Sequence, residues 1–303
     1  MSIIRHILCP VDFSEPSAHA VEQAVAIAGS YGARISALHV CIPTSIPVFA
    51  GQMPASRAFE ADVPRVREQT ALGFQAAAAA GVEVEVLVEA GDPARGILDC
   101  AARLAPDLIV MGTHGASGFE RVVLGSVTER VLRKAGCPVL TVPPRMRATS
   151  QLPFRRLLCA VDFSDWSLEA LAVARSLARE SAAALTLLHV LEWPWQEPPQ
   201  PAFAELPVAQ AEALRSYRHD LEARALSRLQ ALAQEAAQDG IATEPLVRHG
   251  KSYVEILRVA DQERTDLVVL GVHGRLAVDV LLLGSTTHQV VRSATCPVLT
   301  VRR

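Results

Sequence analysis

The sequence holds no uninterrupted apolar run near the ~18–20 residues of a membrane-spanning helix. Met1 to Ser14 lack a basic region followed by a long apolar stretch, so no secretory signal is read there. Both absences point to a cytoplasmic chain without a membrane partner. Charge points to no nucleic acid either. Lys and Arg number 29 against 32 Asp and Glu, and the formal charge of −3 exerts no general pull on polyanions. The six cysteines form no Cys-x-x-Cys pair, and the chain is too large for a disulfide-stapled secreted scaffold. Buried, reduced thiols are expected instead. No spacing of His, Asp and Glu resembles a metal site.

What is present is a duplication. Gly112-x2-Gly115-x9-Gly125-Ser126 returns as Gly271-x2-Gly274-x9-Gly284-Ser285 with every spacing kept. Cys9-Pro10-Val11-Asp12-Phe13-Ser14 returns as Cys159-Ala160-Val161-Asp162-Phe163-Ser164, and Leu38-His39-Val40 as Leu188-His189-Val190. Cys137 to Val142 match Cys296 to Val301. The offset grows from 150 to 159 between these blocks, so the second copy carries nine extra residues between Val190 and Gly250. Trp193-Pro194-Trp195 and Pro198-Pro199-Gln200-Pro201 predict that the insertion forms a loop. Two copies in 303 residues, half of them apolar, make two ordinary domains, each with its own core. The expected boundaries are 1–145 and 153–303, with 146–152 as linker.

Short apolar, β-branched runs alternate with alanine-rich amphipathic segments. The first copy predicts strands at Ile3–Val11, Arg34–Val40, Val82–Val88, Asp107–Met111 and Pro138–Val142. Helices are expected at Glu15–Tyr31 behind an N-cap Ser14, at Arg57–Ala80 with a bend or late start at Pro64, at Pro93–Leu104 and at Gly118–Ala135. The second copy repeats the order with strands at Arg156–Val161, Ala184–Leu191, Thr243–Val247, Asp266–Leu270 and Pro297–Val301. Strand–helix alternation gives a parallel sheet covered on both faces, with right-handed crossovers and about five strands per copy. Such α/β, doubly wound, Rossmann-like sheets bind ligands beyond the strand carboxyl ends, where the winding reverses. If the first and fourth strands are neighbours, Asp12 and the glycine loop face one crevice.

Gly112 leaves the fourth strand where a tight exit is needed, and Gly125-Ser126 opens a helical run. Backbone N–H groups and a hydroxyl at a helix start can meet phosphate. The competing reading is that the glycines serve only turns and packing. The loop is not a Walker A motif, because Gly250-Lys251-Ser252 has Pro245 where the earlier glycine must stand. No Gly-x-Gly-x-x-Gly follows the first strand. Asp12 and Asp162 suit either a helix N-terminus or recognition of a nucleotide's base or ribose. His114 and His273 are expected to be exposed loop histidines rather than catalysts, and His39 and His189 to be satisfied core residues. Ser14 and Ser164 lack the strand-elbow context of a hydrolase nucleophile.

An Asp after the first strand, Gly-x2-Gly-x9-Gly-Ser after the fourth and a closing Cys-Pro-Val-Leu-Thr-Val strand resemble the ATP-binding branch of the universal stress protein family, once per half. The resemblance implies ATP, ADP or AMP as ligand, with Mg2+ carried through the phosphates. It implies that Val40 and Val190 offer backbone to adenine, with Asp12 and Asp162 beside the nucleoside. Gly112, Gly115, Gly125, Ser126 and Val127 would line ribose and phosphates, as would Gly271, Gly274, Gly284, Ser285 and Thr286. Pro10, Met111 and His114 complete the implied first site, and Ala160, Leu270, His273 and Arg275 the second. The resemblance further implies an internal pseudo-dimer of the two halves through their last strands, a homodimer of chains, and protein partners that respond to nucleotide.

The halves differ. Ala116 stands opposite Arg275, which could add charge near a phosphate, while Glu120 and Asp279 match each other. Both sites are therefore expected to bind, the second holding triphosphate somewhat better. Two other functions stay open: a slow ATP hydrolase or nucleotidyl-transferring enzyme using His114 or His273, and a scaffold that holds a different small molecule. The loops 42–56 and 192–207 are candidate covers.

Overall fold

The computed structural model describes residues 4–42, 55–114, 124–144, 152–192, 207–274 and 283–302. The first half runs β1 (His6–Pro10), α1 (Glu15–Tyr31), β2 (Arg34–Cys41), α2 (Ala55–Gly73), α3 (Gln75–Ala79), β3 (Val84–Ala90), α4 (Pro93–Leu104), β4 (Leu108–Gly112), α5 (Ser126–Lys134) and β5 (Val139–Val142). The second runs β6 (Arg156–Ala160), α6 (Asp165–Ser181), β7 (Ala184–Leu191), α7 (Val208–Gln238), β8 (Thr243–His249), α8 (Ser252–Gln262), β9 (Leu267–Gly271), α9 (Ser285–Ser293) and β10 (Val298–Val301).

All ten strands form one sheet, in the order β3-β2-β1-β4-β5-β10-β9-β6-β7-β8. Within each half the pairing is parallel, and β1 lies between β2 and β4. The winding therefore reverses beside β1, so the residues after β1 and β4 open onto the same crevice. The halves join where β5 and β10 pair antiparallel, Leu140 opposite Leu299. Thr141 and Thr300 each donate a hydroxyl across this seam, to the carbonyls of Val298 and Val139. Tyr31 and Ser181 add a hydroxyl hydrogen bond of 2.6 Å between α1 and α6.

The strands read as continuous apolar runs because both faces are covered. Ile7 and Cys9 point into the core under α1 and α6, while Leu8 and Ile109 point into the opposite core with Ile97 and Val131. Burial pushes the Cys9 and Cys159 thiols up to about 12, and Cys137 to about 11. A raised folded-state pKa favours the neutral thiol, so this stability is complete below the ordinary thiol value and is lost as pH rises toward 12. In native protein at pH 8, iodoacetamide is expected to spare Cys9 and Cys159 and to label both after denaturation. Labelling of either in the native state would contradict this packing.

The start of β1 and of β6 is held in each half by one carboxylate. Asp107 Oδ2 accepts from the Arg5 and His6 N–H groups, and Asp266 Oδ2 from those of Arg155 and Arg156. Asp266 is only 2% exposed. Asp266→Ala orphans two donors, so urea denaturation is expected to show a loss of about 3 kcal/mol, with Asp266→Asn losing less. Equal stabilities for the two variants would remove the carboxylate from this role.

Three expectations need correction. The helix expected over Arg57–Ala80 passes through Pro64 but breaks at Gly73, because Phe74 turns inward and is buried. The helix expected from Gly118 begins at Ser126 among the described residues, with Leu124 and Gly125 outside it. The nine-residue insertion is not confined to a loop. Helix α7 runs 31 unbroken residues where α2 and α3 together occupy residues 55–79. Its alanines Ala225, Ala233 and Ala236 pack inward, and no counterpart of Phe74 interrupts it.

Candidate functional site

The turn from β1 into α1 places Asp12. Ser14 caps α1, its Oγ accepting from the Ser17 N–H, and Asp12 Oδ1 in turn accepts from Ser14 N and Ser14 Oγ at 3.1 and 2.6 Å. Asp12 is thus not the cap itself; it orients the cap and stays exposed at the strand end. Asp162 and Ser164 repeat the arrangement at 3.0 and 2.6 Å. The intervening Phe13 and Phe163 take φ of 61° and 64°, a left-handed conformation that costs a bulky residue on the order of 1–3 kcal/mol. Retention of this cost in both copies fits a turn shaped for a site. Each ring packs on a histidine, His39 or His189, whose Nδ1 donates to the carbonyl of Val11 or Val161. Both histidines are satisfied, as expected.

The glycine loop leaves β4 under the first turn of α1. A Cβ added at Gly112 would lie 2.9 Å from the Pro16 carbonyl oxygen, and one at Gly125 would lie 3.2 Å from the Thr113 carbonyl oxygen. Packing of the chain on itself thus already requires both glycines. Thr128 Oγ1 donates to the Gly112 carbonyl, and Thr287 Oγ1 to that of Gly271, tying the helix start to the strand end. These threonines went unnoticed in the sequence, although the second position after each Gly-Ser repeats. Among the described residues no side chain caps α5 or α9, so their first-turn N–H groups meet the loop without a side-chain partner there.

In the first half a cavity of about 490 Å³ gathers these elements. Pro10 and Asp12 line it from β1, Val40 from β2, and Met111, Gly112 and His114 from β4. Gly125 closes it from just before α5, and Ser126 and Val127 from its first turn. Every first-half candidate among the described residues is therefore brought to one space; Gly115 lies outside them. Ile42, Pro93 and Ile97, which sequence reading did not single out, add an apolar wall. His114 was expected to be an exposed loop residue and is not. It is partly buried, its Nδ1 lies 2.9 Å from Thr113 Oγ1, and its Nε2 is buried without a hydrogen-bond partner among the described residues.

In the second half Ala160, Asp162, Val190, Leu270, Gly271, Gly284, Ser285 and Thr286 occupy the corresponding strand and helix ends. Gly274 lets Asp162 approach, since an added Cβ would lie 2.8 Å from its Oδ2. His273 is only 4% exposed and meets the edge of Trp166, a residue that replaces Pro16. Burial under this ring is why the expectation of an exposed His273 fails. Arg228 of the longer α7 lies 3.9 Å above the Phe163 ring, whereas Phe13 is 38% exposed. Arg275, Ala116, Glu120 and Asp279 lie outside the described residues, as do 43–54 and 193–206 of the candidate covers.

The helix starts flanking the clefts also differ. Asp92 caps α4 by accepting from Arg95 N and binds both terminal nitrogens of Arg130 on α5, at 2.8 and 2.9 Å. The Arg130 guanidinium holds the Asp92 carboxyl below the usual carboxylate range. The second copy has Lys251 and Gln289 at these positions.

No described helix is long and apolar enough to cross a membrane. A family model described as the universal stress protein family matches residues 4–143 and again 153–302. Over 304 residues the chain is 30% identical to a universal stress protein of Mycolicibacterium smegmatis, covering 98% of this chain and 96% of the relative. One from Methanocaldococcus jannaschii is 34% identical over 145 residues, covering 46% of this chain and 83% of the relative. Among solved structures, a universal stress protein from Archaeoglobus fulgidus aligns with a TM-score of 0.67 and 24% identity, over 98% of this chain and 96% of that one. That likeness supports the fold.

Proposed function

Since the chain belongs to the universal stress protein family, we propose that it binds an adenine nucleotide, ATP or its ADP and AMP forms, at its glycine-loop clefts. The observation that carries this reading is the first-half cavity, where one space meets the Asp12 carboxylate, a helix start and a His114 Nε2, the last two without a side-chain cap or a hydrogen-bond partner among the described residues. The uncapped N–H groups of α5 suit phosphate, since both the free donors and the helix dipole favour negative charge there. Val40 and the apolar wall of Ile42 and Ile97 suit a flat base, and Asp12 suits ribose hydroxyls, to which a carboxylate is a pure acceptor. The residues present thus fit a nucleotide, with Mg2+ arriving on the phosphates rather than in a protein cage.

The repeated glycine loop supports a second nucleotide site built on Asp162, Gly271, Gly274, Gly284, Ser285 and Thr286, with Val190 at the base end. Occupancy would act as a signal, changing contacts with protein partners or with a second copy of this chain in a stress response. Calorimetric titration with Mg-ATP tests the reading. Binding should be saturable in the parent and lost stepwise in Ser126→Glu, Ser285→Glu and the double variant. An athermal, unsaturable titration with the same nucleotide released from no variant would sink it.

A further inference from the structure

Among the described residues, the two halves differ at the end of the site away from the glycine loop. Val40 and Ile42 are two residues apart on extended chain, so their side chains share a side, and both line the first cavity. Pro93, the first residue of α4, lines the same space. In the second half the repeat puts Glu192 where Ile42 stands and Ser252 where Pro93 stands. These two residues are joined: Glu192 Oε1 accepts from the Ser252 N–H at 2.5 Å. A carboxylate therefore ties together the counterparts of two residues that both line the first cleft.

The first half satisfies the same helix start differently. Asp92 serves α4 from its own N-cap and turns away to Arg130, which leaves Ile42 as an apolar wall. Lys251 cannot accept the bond, so the second half recruits Glu192 from the end of β7. A second difference lies one turn along the helix. A Cβ at Gly96 would come within 3.0 Å of Val40 Cγ2, so α4 packs closely there. Its counterpart Glu255 carries a full side chain, 4% exposed and 2.9 Å from Arg258 Nη1.

Resting on the nucleotide reading above, we propose that Ile42 and Glu192 are the specificity-determining pair: the first cleft admits an adenine ring and the Glu192–Ser252 tie makes the second discriminate against it. The chemistry follows from the face of the base. Ile42 meets that face as an apolar wall, whereas a carboxylate in its place loses hydration against an electron-rich ring that offers it no donor, adenine's donor being the 6-amino group at the edge. Ile42 exposes 65% of its surface, an apolar face that base contact would cover. This order of affinities opposes the one that Arg275 suggests from sequence.

The test uses the full chain, with Ser126→Glu leaving only the second cleft and Ser285→Glu leaving only the first, and Mg-ATP as the probe. One unmatched buried polar contact is worth about a tenfold change in affinity. Glu192→Ile should therefore tighten ATP at the second cleft about tenfold, and Ile42→Glu should weaken it at the first by about the same factor. Glu192→Gln keeps an acceptor for Ser252 and removes the charge, so it should fall between parent and Glu192→Ile, which guards against misfolding of the isoleucine variant. If Glu192 only caps α8, Glu192→Ile will leave ATP affinity unchanged or weaken it, and the proposal is overturned. Equal affinities of the two parent clefts would overturn it too. If neither cleft binds ATP in any background, the nucleotide reading itself fails; if the first binds and the swaps move nothing, only this inference does.

Discussion

Ser126→Glu should weaken Mg-ATP binding at the first cleft about a hundredfold, or about 2.7 kcal/mol, while leaving stability within about 0.5 kcal/mol of the parent. Ser126 is the first residue of α5, exposed and facing the cavity. An acidic side chain in the first turn suits the helix dipole, so the fold loses nothing. The same charge stands where a polyphosphate would approach the uncapped N–H groups, in a cleft that excludes part of the solvent screening. Separating the two readouts matters because most substitutions that empty a site also unfold it. Titration calorimetry beside thermal unfolding makes the check. An affinity within twofold of the parent would mean that no phosphate sits at α5.

Gly112→Val is expected to cost about 3 kcal/mol or more, the upper range for overpacking, and to lower the melting temperature by about 6–12 °C. The first methyl-bearing carbon would meet the Pro16 carbonyl at 2.9 and 3.1 Å, and backbone cannot swing aside as a side-chain end can. Gly271→Val should behave alike, with the Trp166 backbone at 2.9 Å. Differential scanning calorimetry decides, and an unchanged melting temperature would show that α1 is not seated on the loop. Loss of ligand in these glycine variants therefore says little by itself. The motif serves packing and the cleft at once, which is why the Ser126 substitution is the sharper probe.

Much of this was written in the repeat. The alternation of apolar runs and alanine-rich segments sufficed for the strands and the parallel sheet, because buried parallel strands leave a strong pattern, while Asp12 beside Gly112 stood on the condition that β1 and β4 are neighbours, which the strand order meets. Ser14 as N-cap and His39 as a satisfied histidine followed from local chemistry. Other features depend on tertiary packing and left no such trace. Phe74 breaks a helix only because the core has room for its ring, and α7 continues because nothing comparable interrupts it. His273 is buried by Trp166, a neighbour supplied by a different element. Ile42 and Glu192 were legible only as the first residues of two candidate cover loops. Their meaning emerged only when Pro93 and Ser252 were found with them.

The account turns on a nucleotide in the first cleft, and native mass spectrometry of the intact chain tests that most directly. Protein purified without added nucleotide is dialysed against micromolar Mg-ATP and sprayed under non-denaturing conditions, beside the Ser126→Glu variant. The expected spectrum carries the mass of one adenine nucleotide on the parent, absent from the variant, with a second increment only at higher concentration. A parent that keeps its apo mass at saturating ATP, or carries a released mass belonging to no nucleotide, would contradict the account.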